Sequence, residues 1–213
     1  MLDFSKTFER YKALVQEVDK IFSGMQASHG DCVRCDVRCS DCCHAVFDVT
    51  LIEAVFINHH FNRLAEKDRE RILERAETAD RKYYQIKRRL KKMYVDQGQS
   101  PDQVFSQLAR ERVRCPLLNE DSLCDLYVYR PITCRVYGIP TAIGGKAHIC
   151  EKAAFKSGVA YPTVNLDRMN DRLFELSRAL LEEIGSKNPK LCMSLVPPSA
   201  ALMTDYDEKY LGV

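Results

Sequence analysis

Cys32-Val33-Arg34-Cys35-Asp36-Val37-Arg38-Cys39-Ser40-Asp41-Cys42-Cys43 places five thiols within twelve residues. Steps of two or three residues between cysteines let a loop fold back and offer two thiolates to one tetrahedral ion, at metal–sulfur distances of about 2.3 Å for zinc. Iron–sulfur clusters are held by four thiolates at similar spacings, so spacing identifies metal better than it identifies which metal. Between residues 30 and 44 the periodicity is too weak for a helix or strand, and the ligands themselves are expected to shape the loop. Cys42 and Cys43 are adjacent, and adjacent side chains tend to diverge. That favours two sites, a polynuclear centre, or one ligand beside a buried or reactive thiol.

A second group, Cys115, Cys124, Cys134 and Cys150, lies downstream, and the 71 residues between Cys43 and Cys115 hold no cysteine. Of ten cysteines only Cys192 stands apart, and it reads as a small buried hydrophobe. The formal charge of +2, from 32 basic and 30 acidic residues, gives no global field toward nucleic acid or anionic membrane. The opening residues carry charge every few positions and contain no export-signal or membrane-span stretch. A cytoplasmic location follows as the expectation, and in a reducing compartment clustered thiols bind metal or do redox chemistry rather than form disulfides.

Outward from the cysteines the pattern is helical. Phe4, Phe8, Tyr11, Leu14, Val15, Val18 and Ile21 recur at helical steps, with Gly24 as the expected stop. Thr50 and Glu53 form a capping-box signature ahead of the apolar run Leu51 to Ile57. Ile72, Ala76, Ala79, Tyr83, Ile86, Leu90 and Tyr94 predict a long helix from about Glu66 to Gln97, stopped at Gly98. Ser100, Pro101 and Gln103 start another. Turns are expected at Asn119 to Ser122 and at Gly144-Gly145, the latter between short strands. A last helix starts near Asn165 or Asp167 and packs Met169, Leu173, Leu176, Leu180 and Ile184 inward. Beyond Gly185, Pro189, Pro197 and Pro198 mark an irregular tail. The expected fold is mainly α, with a small irregular cysteine-rich metal-binding core and short β-hairpins. It is read as a single domain over 1–213: a cysteine core of 30–65 plus 113–152, a helical insertion of about 66–112, and a C-terminal helix and tail over 163–213.

Cys35-x3-Cys39-x2-Cys42-Cys43, followed by Cys115-Pro-Leu-Leu, Cys124-Asp-Leu-Tyr127, Arg130-Pro131-Ile-Thr-Cys134-Arg135 and Cys150, resembles the YkgJ-like cysteine-cluster family. That family is also described as the zinc- or iron-chelating CxxCxxCC domain. The resemblance covers about residues 32 to 150 and implies chelation through Cys35, Cys39, Cys42, Cys43, Cys115, Cys124, Cys134 and Cys150. The first spacing here is x3 where the family label has x2, and Cys32 rivals Cys35 for the first place. A relative with a similar cysteine pattern, the flagellin lysine methylase, makes a protein-modifying enzyme one implied alternative. This chain shows no methyl-donor motif, phosphate-binding glycine loop, HExxH or nucleophile elbow.

Pro131 suits the first position of a helical turn whose free amides would stabilise an anionic Cys134, with Arg130 and Arg135 offsetting negative charge. His44 and His148 flank cysteines and read as supporting rather than ligating residues; His59-His60 reads as a helix end. Arg81, Lys82, Lys87, Arg88, Arg89, Lys91 and Lys92 make the second half of the long helix basic. A solvated face opposing the helix dipole accounts for this run, with RNA or an acidic protein as the alternative partner through 81–92. The leading expectation is a metalloprotein holding zinc or an iron–sulfur cluster. The alternatives are a redox or protein- or RNA-modifying enzyme, and a metal-dependent interaction module.

Overall fold

A computed structural model describes residues 2–36 and 38–213. The chain is mainly helical with two small sheets. α1 (Ser5–His29) buries Phe8, Tyr11, Leu14, Val18 and Met25, while Ile21 is exposed. It does not stop at Gly24. A glycine inside a helix costs about 1 kcal/mol against alanine, and burial of Met25 one residue later offsets it. The amides of Cys32 and Val33 then fold back onto the carbonyl of His29, and the chain enters the cysteine loop.

β1 (Val49–Thr50) leads into α2 (Leu51–Phe61), whose capping box forms as expected: the Thr50 amide and hydroxyl both donate to Glu53, at 3.1 and 3.0 Å. Every residue from Leu51 to Asn58 is buried, because α2 lies between two cores. α3 (Glu66–Val95) turns Ile72, Ala76, Ala79, Tyr83, Ile86 and Leu90 inward. Tyr94, expected in the same stripe, is 55% exposed; Met93 takes the inward place there, packed with Val104 and Leu108 against a third core. α4 (Pro101–Leu108) is capped by Ser100 and Gln103 as the sequence implies.

α5 (Ile132–Val136) is a short helix against α1. β2 (Thr141–Ile143) and β3 (Lys146–His148) form a hairpin through Gly144 and Gly145, both at positive φ. β4 (Val164–Asn165) runs parallel to β2 and leads into α6 (Leu166–Glu183), where the Asn165 side chain accepts from the Arg168 amide at 3.0 Å. The tail departs from the irregular expectation. It forms β5 (Leu195–Val196), antiparallel to β1, then α7 (Pro198–Met203) and α8 (Glu208–Leu211). Pro198 occupies the first turn of α7, where its missing amide costs nothing.

The first core joins α1, α2, α5 and α6; the second joins α2, the first half of α3, Leu117, Leu126 and α7. Fully buried side chains such as Ile52 and Leu180 each contribute roughly 1.5–3 kcal/mol. Glu53 links the starts of two helices, since its other carboxylate oxygen accepts from the Ile132 amide at 2.9 Å. Burial pushes this carboxyl up, and the donors from Ile132 and Thr50 draw it back. At the end of α2, the His60 ring stacks on Tyr129 with centroids 3.5 Å apart. Burial, then the charge of His59, holds His60 down to about 4.

Glu53→Ala leaves the buried Ile132 and Thr50 amides without their acceptor and should cost about 3 kcal/mol in urea denaturation; Glu53→Gln, which keeps one acceptor oxygen, should cost less. For His60 the folded value lies below the unfolded one of ~6.5. Its neutral form therefore contributes fully above that pH, and the contribution is lost as pH falls toward about 4. His60→Phe keeps a stacked ring that cannot titrate, so its urea midpoint should fall less than that of the parent between about pH 7 and pH 5. Parallel profiles would show that His60 carries none of the acid sensitivity.

Candidate metal centre

The described residues of the loop after α1 form no helix or strand until a tight 3-10 turn, Asp41–His44, which presents Cys42 and Cys43 from adjacent positions. Cys39 is reached through Arg38, which sits at φ +77°, with the Cys39 amide bonded to the Asp36 carbonyl. From Cys43 onward this segment pairs with the second cysteine group. The Cys115 amide donates to the Cys43 carbonyl at 2.6 Å, the Val113 amide to His44 at 3.0 Å, and Ala45 bridges Arg112.

The second group rests on local turns. Leu118 bridges Cys124, and the Asn119 side chain accepts from the amides of Asp121 and Leu123 while donating to Asp125 at 2.9 Å. α3 braces this unit: Arg75 pairs with Asp125 at 2.6 Å and donates to the Leu118 carbonyl. Cys134 lies in α5, whose start is fixed by Glu53.

Five thiols lie within electrostatic reach of one another inside this frame: Cys134 and Cys43 are the neighbours that act most on Cys42, and the charges of Cys115 and Cys124 act on Cys43 and Cys134. Adjacent Cys42 and Cys43 therefore do not diverge into separate surroundings, because the turn holds both against the same neighbours. Hydrogen bonds from Cys134, then Cys43, hold the Cys42 thiol well below its usual range, with Arg130 adding to the effect. Burial pushes Cys115 up to about 12 and Cys124 to about 11, and the bond to Cys42 raises Cys134 and Cys43.

Cys35 and Cys150 are less buried than Cys115 and Cys134. Burial raises Cys35 to about 11, and the charges that act on it most are those of Cys39, Cys150 and Cys42. The Cys35 sulfur packs against Gly138 so closely that a Cβ there would lie 2.0 Å from it. The Cys150 thiol stands 3.7 Å from a carboxylate oxygen of Asp41. Cys32 packs against the first core, and its carbonyl accepts from the Ala154 amide at 2.8 Å. Cys192 is buried in that core.

The surroundings of Cys134 differ from the sequence expectation. Pro131 caps α5 one position before it begins, the first amide goes to Glu53, and the Cys134 amide bonds to the Pro131 carbonyl. Arg135 turns away to α1, where it is 4% exposed and grips both oxygens of Asp19 at 2.9 and 2.8 Å. Arg130, with its guanidinium 4.0 Å above the Tyr127 ring, remains the cation whose charge acts on Cys42 and Cys124. His44 is engaged with the Ser40 carbonyl at 2.9 Å, and the His148 ring packs against Phe105 with its Nε2 buried and unpartnered among the described residues. Sequence reasoning missed Asp41 and Gly138; the place of Asp41 between Cys39 and Cys42 was the available signal.

The donor chemistry fits a zinc or iron centre: free thiols from distant segments, several withdrawn from water, with one acidic thiol and a cation beside them. Among the described residues, no three His, Cys, Asp or Glu side chains are spaced as they stand to close around one ion. No helix of the described residues is long and apolar enough to cross a membrane. Comparison with curated proteins and with solved structures returns no match. The model of the CxxCxxCC family, described as a zinc- or iron-chelating domain, matches residues 34–151, more than half of the chain and all eight of the cysteines that meet in these two groups. The chain belongs to the CxxCxxCC zinc- or iron-chelating family.

Proposed function

We propose that this protein chelates zinc or iron through Cys35, Cys39, Cys42, Cys43, Cys115, Cys124, Cys134 and Cys150, and that the metal clamps the loop after α1 to the segment of residues 113–150. The observation that carries this reading is the meeting of Cys42 and Cys43 with Cys115, Cys124 and Cys134. Neutral thiols make weak hydrogen bonds, whereas thiolates around a metal gain strong bonds and release their protons on binding. Cys35 rather than Cys32 supplies the first ligand, because the family match begins at residue 34 and the charges of Cys39 and Cys150 act on the Cys35 thiol. Cys42 is the thiol poised to lose its proton first, and Arg130 offsets the charge that develops.

Zinc in a closed thiolate site is structural, since it has neither redox activity nor an open position. An iron–sulfur cluster is the second reading, favoured by the crowding of five thiols where one tetrahedral ion takes four. Ten free cysteines suit a reducing compartment, which supports the cytoplasm as the site of action.

Anaerobic purification followed by metal analysis and a visible spectrum separates the two metals: tightly held zinc gives a colourless protein, iron with sulfide a brown one. Cys39→Ser and Cys134→Ser should each lower metal content and thermal stability, whereas Cys192→Ser should keep the full metal content. Equal metal in all three variants would defeat the ligand assignment.

A further inference from the structure

We propose that the outward face of α3, along Arg81, Tyr84, Arg88, Lys91 and Lys92, is a binding surface for single-stranded RNA. α3 carries no cysteine, and this surface stands independently of the metal-binding reading.

The face is set by helix geometry. Ile72, Ala76, Ala79, Tyr83, Ile86 and Leu90 turn inward. At about 100° per residue the other four outward positions fall within about 60° of Arg88, on the side opposite that stripe. All five side chains are exposed, and they extend ~16 Å along the axis. Residues 81–95 contain seven cations and no carboxylate.

Ion pairs divide the seven. Lys87 is tethered to Asp48 and Arg89 to Glu111, while Arg81 reaches Glu77 only at 4.0 Å. Lys82, Arg88, Lys91 and Lys92 meet no carboxylate among the described residues. The helix dipole attracts cations only within the last turn, and of these four only Lys92 lies there. Solvation alone does not explain why like charges are stacked. Lys87 with Lys91 and Arg88 with Lys92 stand four residues apart, and like charges at that spacing weaken a helix. The free protein bears this repulsion, and a bound polyanion relieves it.

The kind of polyanion follows from what stands among the cations. Tyr84, 66% exposed, sits one turn from Arg81 on one side and from Arg88 on the other. An aromatic face between cations holds an unpaired base by stacking while its phosphates pair with charge. A duplex keeps its bases inside, whereas RNA loops and ends present them unpaired. An acidic protein fits this face less well, since lysine is depleted at protein interfaces. An anionic membrane surface needs a broad apolar face, and the apolar stripe of α3 is buried.

Fluorescence anisotropy of the full-length protein with a labelled oligouridylate of about 20 nucleotides, at about 50 to 200 mM salt, tests this. Log K should fall against log salt with a slope of about −3, the value for four phosphates on a single strand. Arg88→Gln, Lys91→Gln and Lys92→Gln together should weaken binding at least ~10-fold and bring the slope to about −1. Tyr84→Ala should weaken it about 10-fold with the slope unchanged, and Tyr84→Phe, which keeps the ring, should match the parent. The same loss of charge at Lys20, Lys190 and Lys209, exposed on other elements, should change affinity less than about threefold. Every variant should keep the parent's metal content and far-UV circular dichroism, because each substituted side chain is exposed.

No RNA binding by the folded parent, or equal loss in the two triple variants, would overturn the surface. Tighter binding of the matching oligodeoxythymidylate would overturn RNA as the occupant in favour of DNA. Equal binding of polyglutamate, with Tyr84→Ala indistinguishable from the parent, would overturn it in favour of an acidic protein.

Discussion

Gathering thiols away from water creates a charge problem, and the rest of the structure is arranged around it. Burial makes Cys115 and Cys124 resist ionising, and each ionised neighbour makes the next ionisation harder. Cys42 is lowered instead, through its interactions with Cys134 and Cys43. A group so arranged is poorly satisfied as a set of neutral thiols and cannot become a set of bare thiolates. A cation of charge two or more resolves both difficulties at once, which is why the placement of the cysteines argues for metal independently of their spacing.

Holding the thiols together falls to ordinary packing and to a few buried polar links. Glu53 ties the start of α2 to the start of α5, so the helix that follows the first cysteine group and the helix that carries Cys134 share one carboxylate. Arg135 continues the link into α1 through Asp19. From the other side α3 acts as a brace, with Arg75 on Asp125, Lys87 on Asp48 and Arg89 on Glu111. Lys87 and Arg89 thus account for part of the basic run as tethers, while Arg88, Lys91 and Lys92 line the outer face of the helix.

What could be read from sequence was whatever local chemistry determines. The Thr50–Glu53 box, the Ser100–Gln103 box, the Asn165 cap and the Gly144-Gly145 turn each declare themselves within a few residues, and all four form. The stop at Gly24 failed because a tertiary contact of Met25 outweighs a local penalty. The proline-rich tail was misread because Pro198 starts a helix as readily as it ends one, and α7 is held by Asn58, whose amide reaches the carbonyls of Ala201 and Leu202. At the site, the cysteines were legible as a set, but the contacts that bring their two segments together were not: the pairing of residues 43–45 with 112–115 and the contact between Asp41 and Cys150, across 109 positions of sequence.

Adjacent Cys42 and Cys43 gain a different meaning from this arrangement. The pair does not split between two surroundings; both thiols interact with Cys134, yet the charge of Cys42 also acts on Cys35. Cys42 therefore stands where the two cysteine segments feel each other, one residue from Asp41 and beside Cys43 and Cys134. Charge gained or lost on one side is felt on the other through a partly buried path, where screening by salt is weak. The short connection Asp41-Cys42-Cys43 is thus the element through which the two cysteine segments feel each other's charge.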